Sequence, residues 1–583
     1  MSSRKVLEMS VNPKAGTGFS WWTRSGLTPF SLALWLVLAL IALLIIYPLG
    51  LAIVYEYDNI VASFHSRLDG PLSRTVPTVI LNTLIVVFGA TTIALLIGSF
   101  LAWINERSDA SLGFMGQLLP LCALIVPPVA GVIGWAVLLD PRAGLANFAL
   151  RNVLDVFGIT MRTGPFNIYS MWGLVIITSL YTVPYVFLVV SAALQRVDPA
   201  MEEASRTGGA GPLKTMMRIT LPAIRPALAA SVLLGVISGL SLFSVPAVLG
   251  AGARIDVISV YIFRLLQAYP AQTGPAITLS IGLLVLVQVL LVVQNMVARP
   301  GRNAAISGKG FRATPVRLGK LRWFAYALAV FYLLATAVLP ILGLLLVSLQ
   351  PFWTPAVNFS TLTLANFNFV LFENRQTVSA LINSVTLGFI VASFNMLVTG
   401  TFALHFARNG KARKLADILT GLPATIPHTV IGVAFILAFS REPLRIYGTT
   451  TILLLAYIVM TLSYAARAAA SAAASIGGEL SEASRVAKAS DLRTLFRISL
   501  PLAMPGLVAG WIMVFVHTVG EVTASAFLSG THNPVIGRVL LDLWNFGNFP
   551  QVAALALVVT AISTSLVGLM LYVTRRSQRV TTS

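Results

Sequence analysis

Twelve long apolar runs separated by short polar gaps occupy most of the 583-residue chain, near 31–55, 78–104, 115–139, 169–195, 226–250, 274–298, 323–349, 379–406, 415–438, 449–474, 504–529 and 551–574. Each is long enough to cross about 30 Å of hydrocarbon as a helix. In lipid, only helices and closed barrels satisfy their own backbone groups. The ten-residue alternating segments of a membrane barrel are not seen, so the runs predict an all-α polytopic membrane bundle. The even number of spans puts both ends of the chain on one side. Charged residues make up 10% of the chain, against roughly 25% in a soluble domain, too few to cover a soluble protein of this size.

A net charge of +20 would suggest nucleic acid in a soluble protein, but the positions of the charges argue otherwise. With the N-terminus in the cytoplasm, 28 of the 40 Lys and Arg fall in cytoplasmic gaps, 11 fall outside and Arg467 lies within a span. That bias orients a membrane protein, and no nucleic-acid partner is expected. The gap holding Arg299, Arg302, Lys309, Arg312, Arg317, Lys320 and Arg322 among Gly, Asn and Ser reads as a flexible cytoplasmic joint between two halves. Cys122 is the only cysteine, which excludes an intramolecular disulfide and a cysteine metal cluster. The first run lacks a small-residue cleavage site and reads as a retained span.

The two halves repeat. Leu81-Asn82-Thr83-Leu84 corresponds to Ile382-Asn383-Ser384-Val385 at an offset of 301, and Ile125-Val126-Pro127 to Thr425-Ile426-Pro427 at 300. Glu203-Ala204-Ser205-Arg206 recurs as Glu482-Ala483-Ser484-Arg485, and Ile219-Thr220-Leu221-Pro222 as Ile498-Ser499-Leu500-Pro501, both at 279. An insertion in the first half, the loop 139–168, accounts for the change of offset. Six spans per half in the same orientation make a parallel repeat, with a pathway between the halves.

The Glu-Ala-Ser elements lie in polar gaps between the fourth and fifth spans of each half. In the first copy, Asp198, Glu202 and Glu203 suit the start of a short helix, and Gly208-Gly209-Ala210-Gly211-Pro212 should end it sharply. Spacing from Glu203 through Gly209 to Leu221-Pro222 resembles the EAA motif of permease subunits of type I, MetI-like, binding-protein-dependent ABC importers. In the second copy Lys488 stands where that family has Gly, which predicts a different bend and less typical docking. A single acidic loop more often just solvates a surface helix; two copies at matched places argue for function.

The resemblance implies domain boundaries at 1–75 for the N-terminal tail and first span, 76–295 for the first permease domain, 296–377 for the linker, seventh span and an outer loop, 378–573 for the second permease domain and 574–583 for a cytoplasmic tail. The first span of each half is then an addition to the family domain. The resemblance further implies that the loops around Glu203, Ala204, Ser205, Gly209, Leu221 and Pro222, and around Glu482, Ala483, Ser484, Lys488, Leu500 and Pro501, seat in a cytosolic ABC ATPase, a homodimer. An extracytoplasmic binding protein delivers the substrate, and the location is the bacterial inner membrane with both termini cytoplasmic. No Gly-x4-Gly-Lys-Ser/Thr occurs in the chain; ATP is expected to be used by the partner, and this chain is expected to bind no cofactor and not to be an enzyme.

Glu521 is the acid set deepest in an apolar stretch and should face protein or an aqueous path. His517, four residues earlier, is read as lying on the same helix face, making a candidate pathway pair against the alternative of a structural hydrogen bond. Leu242 stands at the equivalent place in the first half. Pro127, Pro427 and His428 mark helix breaks inside spans, tolerated where protein or a cavity satisfies the backbone. His-x3-Glu supplies two ligands, fewer than a dedicated metal site requires, so metal ligation is left open. A secondary transporter would need more intramembrane ionisable groups than these, and an intramembrane enzyme lacks a nucleophile–base constellation. Both permease halves in one chain resemble ferric-iron uptake permeases, which makes Fe(III) the expected substrate; thiamine, phosphonate, polyamine and sulfate permeases are the alternatives.

Overall fold

The computed structural model describes residues 29–297, 315–476 and 483–582, apart from parts of 56–70 and 112–125, residues 407–409, Arg485 and Lys488. The first half contains α1 (Pro29–Tyr55), α2 (Pro71–Arg107), α3 (Pro128–Leu139), α4 (Leu145–Val156), α5 (Met171–Arg196), α6 (Pro199–Thr207), α7 (Pro212–Ser241), α8 (Ser244–Ala253), α9 (Ile258–Gln267) and α10 (Thr273–Val297). The second contains α11 (Leu321–Ser348), α12 (Arg375–His405), α13 (Gly410–Gly421), α14 (His428–Phe439), α15 (Thr450–Ala474), α16 (Leu495–Val519), α17 (Thr523–Leu528), α18 (Ile536–Asn545) and α19 (Phe549–Thr582). Among the described residues the only extended pairing is an isolated bridge, Ser108 to Val316, which ties the end of the linker to the turn after α2.

Among the described residues ten helices are long and apolar enough to cross a membrane, or up to twelve if each of two bent pairs is one span. These are not the twelve expected runs. The run 115–139 is described from Val126 onward, where it yields α3, and 115–125 lies largely outside the described residues. The run 415–438 is α13 and α14, bent by 92°. The runs 226–250 and 504–529 overshoot: α7 ends at Ser241 and α16 at Val519. After the first of these breaks come α8 and α9, bent by 77°, a pair the hydropathy hid because Leu242-Phe243 carries the apolar run across it. At Leu242 the backbone turns extended, with ψ 119°; in the second half Gly520 ends α16 with φ −86° and ψ 4°, and α17 and α18 follow.

Two proline breaks are the clearest local correspondence. Pro127 has φ −53° and ψ 131°, Pro427 φ −56° and ψ 137°. Each precedes a twelve-residue apolar helix that is almost wholly buried. Proline cannot donate into a preceding turn, and in the second half the chain changes direction there by 92°.

The first helix of each half packs on the other half. Leu34 and Leu38 of α1 join Phe402, Phe406, Ala412 and Ala416, and Tyr47 meets Phe439 of α14 with ring centroids 6.3 Å apart. In return, α11 lies on α3 and α5. Trp135 Nε1 donates to Ala335 O at 2.9 Å and Tyr332 Oη to Leu180 O at 3.1 Å, satisfying polar atoms that burial would otherwise leave costly. Gly134 is required at this crossing, since a Cβ there would sit 2.5 Å from Pro340 O. The last helix of each half likewise touches the other half's broken span: Gln288 Nε2 on α10 donates to Thr425 O at 2.7 Å, and α19 packs on α3.

Candidate functional site

Asp198 opens the first repeated loop. Its side chain accepts from Ala200 N at 2.9 Å, with Pro199 in the first turn of α6, as helix starts favour. The helix ends at Gly208, and Gly209 follows with φ +81°, a conformation glycine adopts without a Cβ clash. Ala210 N closes the turn on Ser205 O at 3.0 Å, and Ser205 Oγ meets Thr215 Oγ1 at 3.0 Å. A π-helical turn, Met216–Thr220, then leads into Leu221 and Pro222. Pro222 has no N–H to return to the preceding turn, which fits the wider ladder there.

The second copy repeats these contacts at the same offset. Ser484 Oγ meets Thr494 Oγ1 at 2.7 Å, Ala489 N donates to Ser484 O at 3.1 Å, and a π-helical turn Leu495–Ser499 precedes Leu500 and Pro501. Glu482 and Lys488 lie outside the described residues; the bond that closes the turn beside Lys488 is the same as in the first half. Ala204, Ala483 and Glu203 are exposed, whereas Ser484 is buried. Met201, Leu213, Met217 and Phe496 are exposed apolar side chains on the same two loops.

Glu202, beside the exposed Glu203, is turned inward. It is 3% exposed; its Oε1 lies 3.3 Å from Arg107 Nε and accepts from Thr220 Oγ1 at 2.7 Å. By sequence alone it groups with Asp198 and Glu203 as an acid at a helix start. Its lack of a repeat partner, with Ser481 in the equivalent place, was the one available signal that its task differs.

The second constellation lies where the broken helices meet. Glu521 is not on the helix of His517: α16 stops at Val519, Gly520 caps it, and Glu521 occupies the break before α17. Glycine at that point ends the 3.6-residue period on which the expected pairing rested. The carboxylate instead accepts from Ser525 N at 3.1 Å through Oε2 and faces His428 Nδ1 at 3.8 Å through Oε1. Tyr457 Oη and Ser525 Oγ are 2.7 Å apart. His517 packs edge-on against Tyr464, ring centroids 4.4 Å apart, and Arg467 lies over the Tyr464 ring at 5.4 Å. Pro127 reaches the same place from the first half, 3.5 Å from where a Cβ on Gly520 would be. Phe243, just after the first-half break, Phe263 on α9 and Phe527 on α17 form a cluster with centroids 5.3–6.0 Å apart. Among the described residues no group of three or more His, Cys, Asp and Glu is arranged to hold a metal ion.

The repeated Asn-Thr and Asn-Ser pairs have a third task. Asn82 Nδ2 donates to Asp256 O at 3.2 Å and Thr83 Oγ1 accepts from Ile258 N at 2.9 Å, holding the start of α9. Asn383 Nδ2 donates to Pro534 O and Ser384 Oγ accepts from Ile536 N, both at 2.9 Å, holding the start of α18.

With this repeated architecture in view, the sequence signature of binding-protein-dependent transport system inner membrane components matches residues 15–300 and 384–579. The chain belongs to that family. It is a fused, two-repeat permease of the MetI-like kind, and its relatives are transport permeases. A putative ferric transport system permease of Haemophilus influenzae is 28% identical over 501 residues, covering 84% of this chain and 77% of that one. A ferric transport system permease of Actinobacillus pleuropneumoniae is 26% identical over 528 residues, covering 89% and 74%. A spermidine/putrescine permease of Haemophilus influenzae is 28% identical over 208 residues, covering 36% and 80%. The permease therefore has, in one chain, a pair of clamped polar loops and a polar site at the meeting point of its helix breaks.

Proposed function

We propose that this permease imports Fe(III) handed over by an extracytoplasmic binding protein, driven by a homodimeric cytosolic ATPase that docks on the loops 199–222 and 478–501. Polyamine, phosphonate, thiamine and sulfate are the alternative substrates; the two ferric permeases that match over most of the chain favour iron. The observation that carries the docking reading is the matched pair of Ser–Thr clamps, 3.0 and 2.7 Å, beneath loops whose exposed faces carry Met201, Leu213, Met217 and Phe496. Apolar side chains grouped on a polar loop are a surface for a partner. Glu203 and Glu482 supply acid contacts to that partner, the permease itself binds no nucleotide or cofactor, and both termini and the linker are cytoplasmic.

In this reading the substrate passes between the halves at the four helix breaks. Phe243 and Phe527 form the apolar constriction, and Glu521 with His428 the polar step beside it. Two ligands are too few to retain a metal ion, which suits a site that must release what enters it.

Replacing both Glu203 and Glu482 by Ala is expected to abolish ATPase co-purification and to lower uptake at least tenfold, with membrane abundance unchanged. Of the single variants, Glu203→Ala should be the more severe. Normal co-purification and uptake in the double variant would remove the docking assignment. Competition of radioactive ferric uptake by spermidine and by 2-aminoethylphosphonate, in cells carrying the binding protein and ATPase, tests the substrate.

A further inference from the structure

Two adjacent acids in α6 face opposite ways, and the inward one ties together four elements. Arg107 is the last residue of α2, and its side chain and that of Glu202 are 6% and 4% exposed. Besides the ion pair, Arg107 Nη2 donates to Leu194 O at 2.6 Å and Val197 O at 3.0 Å, the carbonyls at the end of α5. Glu202 in turn accepts from Thr220, at the π-turn of α7. A guanidinium on the terminal carbonyls of one helix, at the end of another, is favoured by both dipoles. Neither charge can leave without stranding the other in a buried place, so α6 cannot shift without carrying the ends of α2 and α5.

We propose that the Glu202–Arg107 pair is the joint through which motion of the first docking loop reaches the spans of its own half. The proposal rests on the reading of 199–222 as an ATPase-docking loop. At the equivalent of Glu202 stands Ser481, which has no charge to pair with Arg408, the equivalent of Arg107. Both halves share the Ser–Thr clamp, which holds the loop's two limbs to each other; the Glu202–Arg107 ion pair holds the first loop to the spans. Glu202 and Arg107 are positioning residues in this account and touch neither substrate nor nucleotide.

The test uses the full permease with its ATPase in proteoliposomes, in a Cys122→Ala background carrying Leu242→Cys at the first-half break. The readout is the change in thiol labelling at position 242 when ATP and vanadate trap the ATPase, which needs no knowledge of the substrate. Glu202→Gln keeps the shape and the Thr220 hydrogen bond but removes the charge. It is expected to reduce the labelling change at least fivefold while ATPase co-purification is kept. Arg107→Gln should do the same, and Arg107→Lys, which keeps a positive donor between Glu202 and the carbonyls at the end of α5, should retain at least half of the change. An undiminished labelling change in Glu202→Gln overturns the proposal. So does loss of both Glu202→Gln and Arg107→Gln from the membrane, which would make the ion pair a purely structural one. Failure of the unmutated permease to retain the ATPase would instead sink the docking reading itself.

Discussion

Glu521 accepts from the backbone N–H and, at 3.5 Å, the hydroxyl of Ser525, and its other carboxylate oxygen faces the His428 ring. Gln at this position keeps an oxygen to accept from Ser525 and loses the charge. Glu521→Gln is expected to lower uptake about tenfold at constant membrane abundance, and His428→Asn to act in the same direction. Falling abundance in step with uptake would assign Glu521 to holding α17 in place, and wild-type uptake and abundance together would remove both roles. That an acid sits deep in an apolar stretch was legible from the sequence. Its partner was not, because the helix carrying His517 ends one residue before Gly520, and His428 is brought in from a helix 93 positions away in the chain.

Among the elements, the helix pairs α8–α9 and α17–α18 are set by side chains distant in sequence. Thr83 and Ile258 are 175 residues apart, Ser384 and Ile536 152. Replacing Asn82 or Asn383 by Leu leaves Asp256 O or Pro534 O without its donor, at about 1–3 kcal/mol each if the carbonyl is not rehydrated. Each variant is expected to speed amide exchange in α9 or α18 respectively, while exchange in the long spans stays unchanged; uniform acceleration would count against a local clamp. The Asn-Thr and Asn-Ser repeats were visible in the sequence, and so were the breaks at Pro127 and Pro427. The breaks at Leu242 and Gly520 were hidden, the first inside a run of apolar residues that hydropathy cannot divide.

Taken as a whole, the molecule is intertwined: α1 rests on the second half and α11 on the first. The orientation proposed for it places 299–322 in the cytoplasm, as the basic cluster there requires. With Cys122→Ala, a cysteine replacing Ser307 is expected to resist a membrane-impermeant thiol reagent in intact cells, and one replacing Ala143 to react. The reverse pattern would invert the topology. Packing makes a further demand, since Gly134 meets Pro340 O so closely. Gly134→Val should separate α11 from α3 and lower the amount of folded permease in the membrane, as read by size-exclusion in mild detergent.

The sequence alone determined the membrane class, the parallel duplication, the two repeated Glu-Ala-Ser loops and the proline breaks, because each follows from local composition or from a motif repeated at constant offset. Only the tertiary structure decided that Glu202 pairs inward while Glu203 stays outside, that Glu521 meets His428, and that the first helix of each half crosses over. Those depend on which distant elements come within 4 Å of one another, and hydropathy, being nearly uniform along every span, carries no record of that choice.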